Sequence, residues 1–190
     1  PGSFSILSLF TLAACGGTSG GSVSSGSSGT AIKGPIQGAI AFIDIDGDGS
    51  LNTATEPYAF TDADGNYSID TAASGDIVVI TDSSKVVGGA LSVSAVDTSS
   101  GSALTGVTLK APAGASVVTP TTTLVSELGG NASAVADALG LSGVDLLNYN
   151  PYAEGVSATD ATALAVEKIQ TQIVTTVKAM AAAAEGQGVA

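Results

Sequence analysis

The chain has 190 residues and a formal net charge of −12 at pH 7, from 17 acidic and five basic side chains. Because phosphate recognition relies on clusters of Lys and Arg, this charge argues against nucleic-acid binding. The sequence has no His and no Arg, and Cys15 is its one cysteine. The commonest general bases, zinc ligands and bidentate anion clamps are therefore missing, and we expect no enzyme.

The amino-terminal end carries an apolar run at residues 4–14, then Leu12-Ala13-Ala14-Cys15, then a Gly/Ser tract at residues 16–30. This order resembles bacterial lipoprotein export signals. The resemblance implies a cleaved signal at residues 1–14 and a lipidated Cys15 that opens a flexible linker, residues 15–31. The alternative is an ordinary secretory signal. The run is too short to span a bilayer as a helix, which fits a removed signal.

In the lipoprotein family, Asp after the cysteine marks retention at the inner membrane, and Gly16 stands at that position here. The resemblance therefore implies an acylated, palmitate-bearing protein of the outer membrane, periplasmic or surface-exposed. Two or more buried acyl chains hold a protein firmly on a bilayer, since each CH₂ contributes about 0.8 kcal/mol. The chain starts at Pro1 without a basic segment, so we expect the sequence to be a fragment of a larger protein.

Short β-branched runs separated by turn residues follow, and they predict an antiparallel β-sandwich over residues 32–116. Asp64-Gly65 between two such runs predicts a hairpin, because glycine tolerates the positive φ of tight turns. The expected strands are residues 38–45, 58–61, 67–69, 76–81, 91–96 and 105–110.

The pattern changes to a helical one for a second domain, residues 117–190, so the predicted class is α+β. Thr119-Pro120 and Asn131 are typical helix starts, and glycines follow each of these two helices. The strongest helix is predicted at residues 159–185. Its apolar stripe is expected to pack on the two preceding helices, and its members are Val166, Ile169, Ile173, Val177 and Met180.

Residues 44–52 read Asp-Ile-Asp-Gly-Asp-Gly-Ser-Leu-Asn and form the candidate metal site. Carboxylates at positions one, three and five (Asp44, Asp46 and Asp48) can converge on one cation around the turn at Gly49. Ser50 supplies a backbone carbonyl, and Leu51 is expected to return to the core. Outside the cytoplasm the hard, oxygen-binding cation at hand is Ca²⁺. The alternative is a solvated acidic turn.

Two further acids extend the candidate set. Glu56 comes one residue later than the closing acid of a helical calcium hand, and we predict that it closes a longer loop as a bidentate ligand. Asp62 and Asp64 either lend ligands to the same ion or simply form a turn.

Residues 33–42, the acidic loop, Glu56-Pro57 and residues 61–69 together resemble a B-type prealbumin-like module, related to the regulatory-like domains of carboxypeptidases. In that family the sandwich is a rigid stalk of surface adhesins, and calcium stiffens it. The resemblance covers about residues 32–82 and implies Asp44, Asp46, Asp48 and Glu56 as ligands.

The expected function is a non-enzymatic, lipid-anchored surface protein, adhesin-like or part of a larger assembly. Its partners would be the membrane, through Cys15, and a protein or glycan. The alternative is an accessory lipoprotein that binds a carbohydrate or peptide. An enzyme built on a carboxylate pair, Asp62 with Asp64 or Glu154 with Asp160, is the least supported hypothesis, since nothing in the sequence marks either pair as close in space.

Overall fold

A computed structural model describes residues 26–186 of the chain. The predicted signal and the lipidation residue Cys15 lie outside these described residues. The strands are β1 (Ser27–Ala31), β2 (Ile36–Gln37), β3 (Ile40–Asp44), β4 (Leu51–Asn52), β5 (Tyr58–Phe60), β6 (Asn66–Ile69), β7 (Asp76–Ile80), β8 (Val86–Val87), β9 (Ala95–Asp97), β10 (Ser102–Leu104), β11 (Thr108–Ala111) and β12 (Val117–Val118). The helices are α1 (Pro120–Glu127), α2 (Ala132–Ala138) and α3 (Ala161–Gly186).

The strands form four small sheets, and the predicted α+β class is confirmed. Their orders are β11-β7-β3-β5, β12-β1-β6, β10-β9-β2 and β4-β8. Pairing is antiparallel except between β1 and β12 and between β4 and β8. Within residues 26–186 no sheet closes on itself.

The central strands β3 and β7 of the four-stranded sheet are buried on both faces. On one face Ile40 and Phe42 of β3 pack with Leu51 and Val78. On the other face Ala41 and its neighbours join the largest apolar cluster of the described chain. A strand that is covered on both sides needs apolar residues at successive positions, which is why all five residues of β3 are buried.

Strand β1 lies inside the segment that the sequence assigns to the flexible linker. It pairs with β6 on one side and β12 on the other. The Ala31 N–H donates to the Gly65 carbonyl at 2.8 Å, and the Ile32 N–H donates to the Val118 carbonyl at 2.8 Å. These backbone bonds form regardless of side chain, so pairing overrides the poor strand propensity of Ser and Gly.

The hairpin predicted at Asp64-Gly65 is wrong. Strand β5 belongs to the four-stranded sheet, whereas β6 pairs with β1 in another sheet. The turn therefore carries the chain from one sheet to the next. Gly65 has φ +80°, and a Cβ there would lie 2.6 Å from the Ala31 carbonyl oxygen. The glycine predicted for a hairpin turn instead allows the chain to pass close to the backbone of β1 at the start of β6.

Both predicted helix starts are confirmed. The Thr119 hydroxyl accepts the Thr122 N–H at 3.0 Å, with Pro120 at the first helical position of α1. The Asn131 side chain accepts the Ala134 N–H at 3.1 Å at the start of α2. These caps satisfy N–H groups that have no partner inside the helix, which fixes where each helix begins.

Helix α3 packs along only part of its length. Val166 is 2% exposed and belongs to a cluster with Val125 and Leu146, which confirms the predicted packing for the first turns. Val177 and Met180 are 58% and 67% exposed, so the second half of the predicted stripe does not pack on α1 or α2. None of the helices in residues 26–186 combines the length and apolarity needed to cross a bilayer.

Candidate metal site

The three aspartates of the acidic loop come together in the structure. Asp44 is the last residue of β3 and is 4% exposed, while Asp46 and Asp48 are exposed. One carboxylate oxygen from each lies within 4.8 Å of the others. Calcium binds oxygens at about 2.3–2.6 Å, so two of its ligands are at most about 5 Å apart. The three oxygens therefore fit around one Ca²⁺.

Asp44 organises the loop with its own side chain. Its Oδ1 accepts the Gly47 N–H at 2.9 Å, and its Oδ2 accepts the Gly49 N–H at 3.1 Å. Both glycines have positive φ, +78° and +71°. A side chain at either position would be strained in this conformation. The sharp turn predicted at Gly49 is confirmed, and it wraps the loop around a buried carboxylate.

Asp46 and Asp48 each make one short-range hydrogen bond. Oδ1 of Asp46 accepts the Asp48 N–H at 3.2 Å, and Oδ1 of Asp48 accepts the Ser50 N–H at 2.7 Å. The second oxygen of each carboxylate accepts no hydrogen bond within the described residues. Carboxylates held in place with free oxygens are the ligand type that hard divalent cations prefer.

Three negative charges at this spacing repel one another. The cost for each pair about 4 Å apart is roughly 1 kcal/mol in bulk water and about 4 kcal/mol near a protein surface. A doubly charged cation between them would replace that repulsion with attraction. The cluster could therefore hold a metal ion.

Glu56 has a different place from the one expected for a closing ligand. It is 4% exposed, and it is not among the acids whose oxygens converge. Its Oε1 accepts the Ile45 N–H at 2.8 Å, and its Oε2 accepts the Asn52 N–H at 2.9 Å. Glu56 thus joins the two ends of the loop through hydrogen bonds. The sequence singled out this residue, but its role as a brace was missed.

The remaining predicted residues fall into two places. Ser50 lies at the end of the acidic turn, where its N–H donates a hydrogen bond to the Asp48 carboxylate. Leu51 is fully buried, as predicted. Asp62 lies in the turn between β5 and β6, outside the converging group. Its carboxylate accepts the N–H groups of Asp64 at 3.0 Å and Asn66 at 2.8 Å. The turn-forming alternative describes this residue.

Comparisons with known proteins add no relative: no protein-family model, curated protein or solved structure matches this chain. The chemistry of the described residues is therefore the basis for assigning a function.

Proposed function

We propose that this protein is a non-enzymatic, lipid-anchored component of the bacterial cell envelope whose β part is stiffened by one structural Ca²⁺. The observation that supports this most strongly is the convergence of the Asp44, Asp46 and Asp48 oxygens within 4.8 Å. The proposed setting is the outer membrane, with Cys15 as the lipid attachment point, and the proposed role is adhesin-like or as part of a larger surface protein.

We infer further that the β part is a prealbumin-like sandwich. Its support is a shared core. The β12-β1-β6 sheet contributes Tyr67 and Val118 to this core, and the four-stranded sheet contributes Ala41 and Val79. A sandwich is defined by two sheets that pack face to face and bury one common apolar cluster. The core is made largely of Ala, Val and Ile, and such small side chains allow close approach of the sheets.

Calcium in this loop would stabilise the fold and take no part in a reaction. The loop follows directly from the buried strand β3 and leads into β4, whose Leu51 packs under the same sheet. An ion held by Asp44, Asp46 and Asp48 would tie a mostly polar segment to that sheet. Any ligand that binds only the folded state stabilises it by mass action.

One carboxylate of the pair Glu154 with Asp160 is engaged by local hydrogen bonds. The Asp160 Oδ1 accepts the Ala163 N–H at 2.8 Å and the Tyr149 hydroxyl at 3.4 Å. An acid that satisfies a free N–H at the start of α3 has a structural task. This use of Asp160 supports the non-enzymatic proposal.

Calorimetric titration of the purified protein with CaCl₂, compared with MgCl₂, tests the calcium proposal. We expect one ion per chain and a melting temperature that rises with calcium, because the stabilisation reaches about 2.7 kcal/mol at one hundred times the Kd. Magnesium should do little, since it demands shorter bonds and near-ideal octahedral geometry. Absence of both heat and a melting shift would refute a structural calcium ion.

Mass spectrometry of the membrane-extracted protein tests the anchor. A mature amino terminus at Cys15 that carries acyl mass is expected, and C15S should remain unprocessed and unacylated. A free thiol on Cys15 in the mature protein would refute lipid anchoring while leaving the calcium proposal intact.

A further inference from the structure

A polar groove runs along strand β1, remote in sequence from the acidic loop. It consists of two adjoining cavities of about 430 and 440 Å³ that share Thr30, Asn66 and Asn150 in their lining. One wall is formed by β1 and the start of β6, and the other by the loop at residues 148–154. The first is a shallow depression wide open to solvent, whereas the second is more enclosed and lies within the range of about 300–1,000 Å³ typical of small-ligand sites.

The amide side chains of the groove are held in fixed orientations. Asn66 accepts the Thr30 hydroxyl at 2.9 Å, and Asn148 accepts the Ser116 hydroxyl at 2.9 Å. Asn150 accepts the Tyr152 N–H at 2.8 Å. Each amide keeps further donor and acceptor capacity, because one amide group can make up to four hydrogen bonds. Held side chains lose little entropy when a ligand binds.

The phenol of Tyr67 also lines the groove and lacks a partner. This residue is 4% exposed, and its oxygen makes no hydrogen bond in the described structure. It lies beside Gly29, where a Cβ would approach the phenolic oxygen to 2.6 Å. Burial raises the pKa of Tyr67, so the group stays a neutral hydroxyl. Because that oxygen is itself out of contact with solvent, Tyr67 forms part of the floor of the groove, and the side chains open to a ligand are those of Asn66, Asn148 and Asn150.

We propose that this groove binds a neutral glycan. Amide, hydroxyl and carboxylate groups, the last from Asp64 and Glu154, complement sugar hydroxyls, which both donate and accept. The Tyr152 ring is 39% exposed at one end of the groove, where a pyranose could stack.

The lining also separates this ligand class from others. No lysine lines either cavity, and the chain carries a net charge of −12, which disfavours anionic ligands such as phosphates or acidic sugars. Peptide side chains are usually anchored in apolar pockets. Here the aliphatic side chains of the lining, beside the rings of Tyr67 and Tyr152, are divided between the two cavities: Val117 in one, and Ile32, Pro35 and Ala153 in the other.

This inference does not rest on the calcium proposal, because no residue that lines the groove belongs to the acidic loop. The two proposals can therefore fail separately. Binding is to be measured in calcium and in a chelator, and similar affinities are expected in both. Glycan binding that requires calcium would show that the two sites are coupled, and it would contradict the proposal of an independent glycan site in the groove.

The test is isothermal titration of the purified protein with a panel of neutral hexasaccharides built from glucose, mannose and N-acetylglucosamine. At least one is expected to bind, and N150A and Y152A should each weaken it about tenfold or more. Y152F keeps the ring and should retain most of the affinity. The matched controls outside the groove are Q172A for the amide and F60A for the aromatic, since Gln172 and Phe60 are exposed.

Three results would overturn the proposal. They are no binding across the panel at millimolar concentration, equal weakening by the control variants, or tighter binding of an uncharged hexapeptide than of any sugar. Melting temperatures of N150A and Y152A, measured in parallel, show whether a loss of binding reflects unfolding. If either variant fails to fold, the milder N150D and Y152L are tested in its place.

Discussion

Two acidic turns of this protein have nearly the same sequence and different structures. Residues 46–49 read Asp-Gly-Asp-Gly, and residues 62–65 read Asp-Ala-Asp-Gly. In the first turn, Asp46 and Asp48 converge with Asp44 on a common point. In the second, Asp62 closes its own turn by accepting the Asn66 N–H at 2.8 Å. Alternating acids followed by glycine therefore do not by themselves form a cluster that could hold a metal ion.

The difference comes from what precedes each turn. The first begins at a buried strand end, where both oxygens of Asp44 accept N–H groups of the loop and bend it inward. The second follows Thr61, whose buried hydroxyl hydrogen-bonds back to Ala39 in the adjoining segment. Acids of both turns accept local backbone N–H groups. The first turn differs because the fixed carboxylate of Asp44 brings a third acid close to the other two.

The largest expected effect is that of removing Glu56. E56A would leave the N–H groups of Ile45 and Asn52 without their carboxylate partner, and hydrogen bonds to charged groups contribute about 1.5–3 kcal/mol each. We expect the free energy of unfolding to fall by about 3 kcal/mol in urea titrations that contain a chelator.

The control for this variant is E127A, because Glu127 is exposed at the end of α1 and should change stability by less than about 0.5 kcal/mol. If Glu56 acted only as a metal ligand, E56A would lose calcium binding and keep its full stability in the chelator. That outcome would contradict the role of Glu56 as a brace and restore the ligand interpretation.

The second prediction compares the calcium response of a variant in each acidic turn. D46N should abolish most of the calcium-induced rise in melting temperature, because it removes one of three converging carboxylates. D62N should keep that rise and lower the calcium-free stability by about 1 kcal/mol or less, since it weakens only a local turn. Equal loss of the calcium response in both variants would place Asp62 in the metal site.

The smallest expected effect concerns Asp97, whose carboxylate has its hydrogen-bond and charge partners within the protein. Burial of Asp97 opposes its ionisation, but hydrogen bonds from Ser99 and Ser100 and the charge of Lys33 outweigh burial and lower its pKa. The Lys33 ammonium lies 3.4 Å from its carboxylate.

A lowered carboxyl pKa stabilises the fold at any pH above the ordinary Asp value of about 4, and that contribution disappears as the pH falls through the lowered value. K33M should therefore cost up to about 1 kcal/mol at pH 7 and progressively less below pH 4, in calcium or in chelator alike. Urea titrations across this pH range measure the difference. A K33M deficit that stays constant down to pH 2 would contradict the charge interaction.

Local sequence signals predicted the helices and part of the candidate site well. Thr119 and Asn131 begin their helices because a side-chain oxygen next to free N–H groups needs no distant partner. The Asp44 cluster was predictable for the same reason, since its hydrogen bonds span at most five residues. Strand β3 was predictable from its continuous apolar run.

Signals that depend on distant partners were missed. Strand β1 has no strand-like composition and exists because β6 and β12 lie on either side of it. The polar groove gave no sequence signal either. Its walls, at Thr30, Asn66 and Asn150, are far apart along the chain and lie next to one another only after the sheets have formed.

The sequence alone thus determined the caps, the buried strand and the acidic turn, because their hydrogen bonds and apolar periodicity lie within a few neighbouring residues. Tertiary structure decided which strand fills the gap between β6 and β12 and which half of α3 is buried. Those outcomes depend on backbone groups and apolar surfaces brought together across tens of residues, and no local pattern encodes such partners.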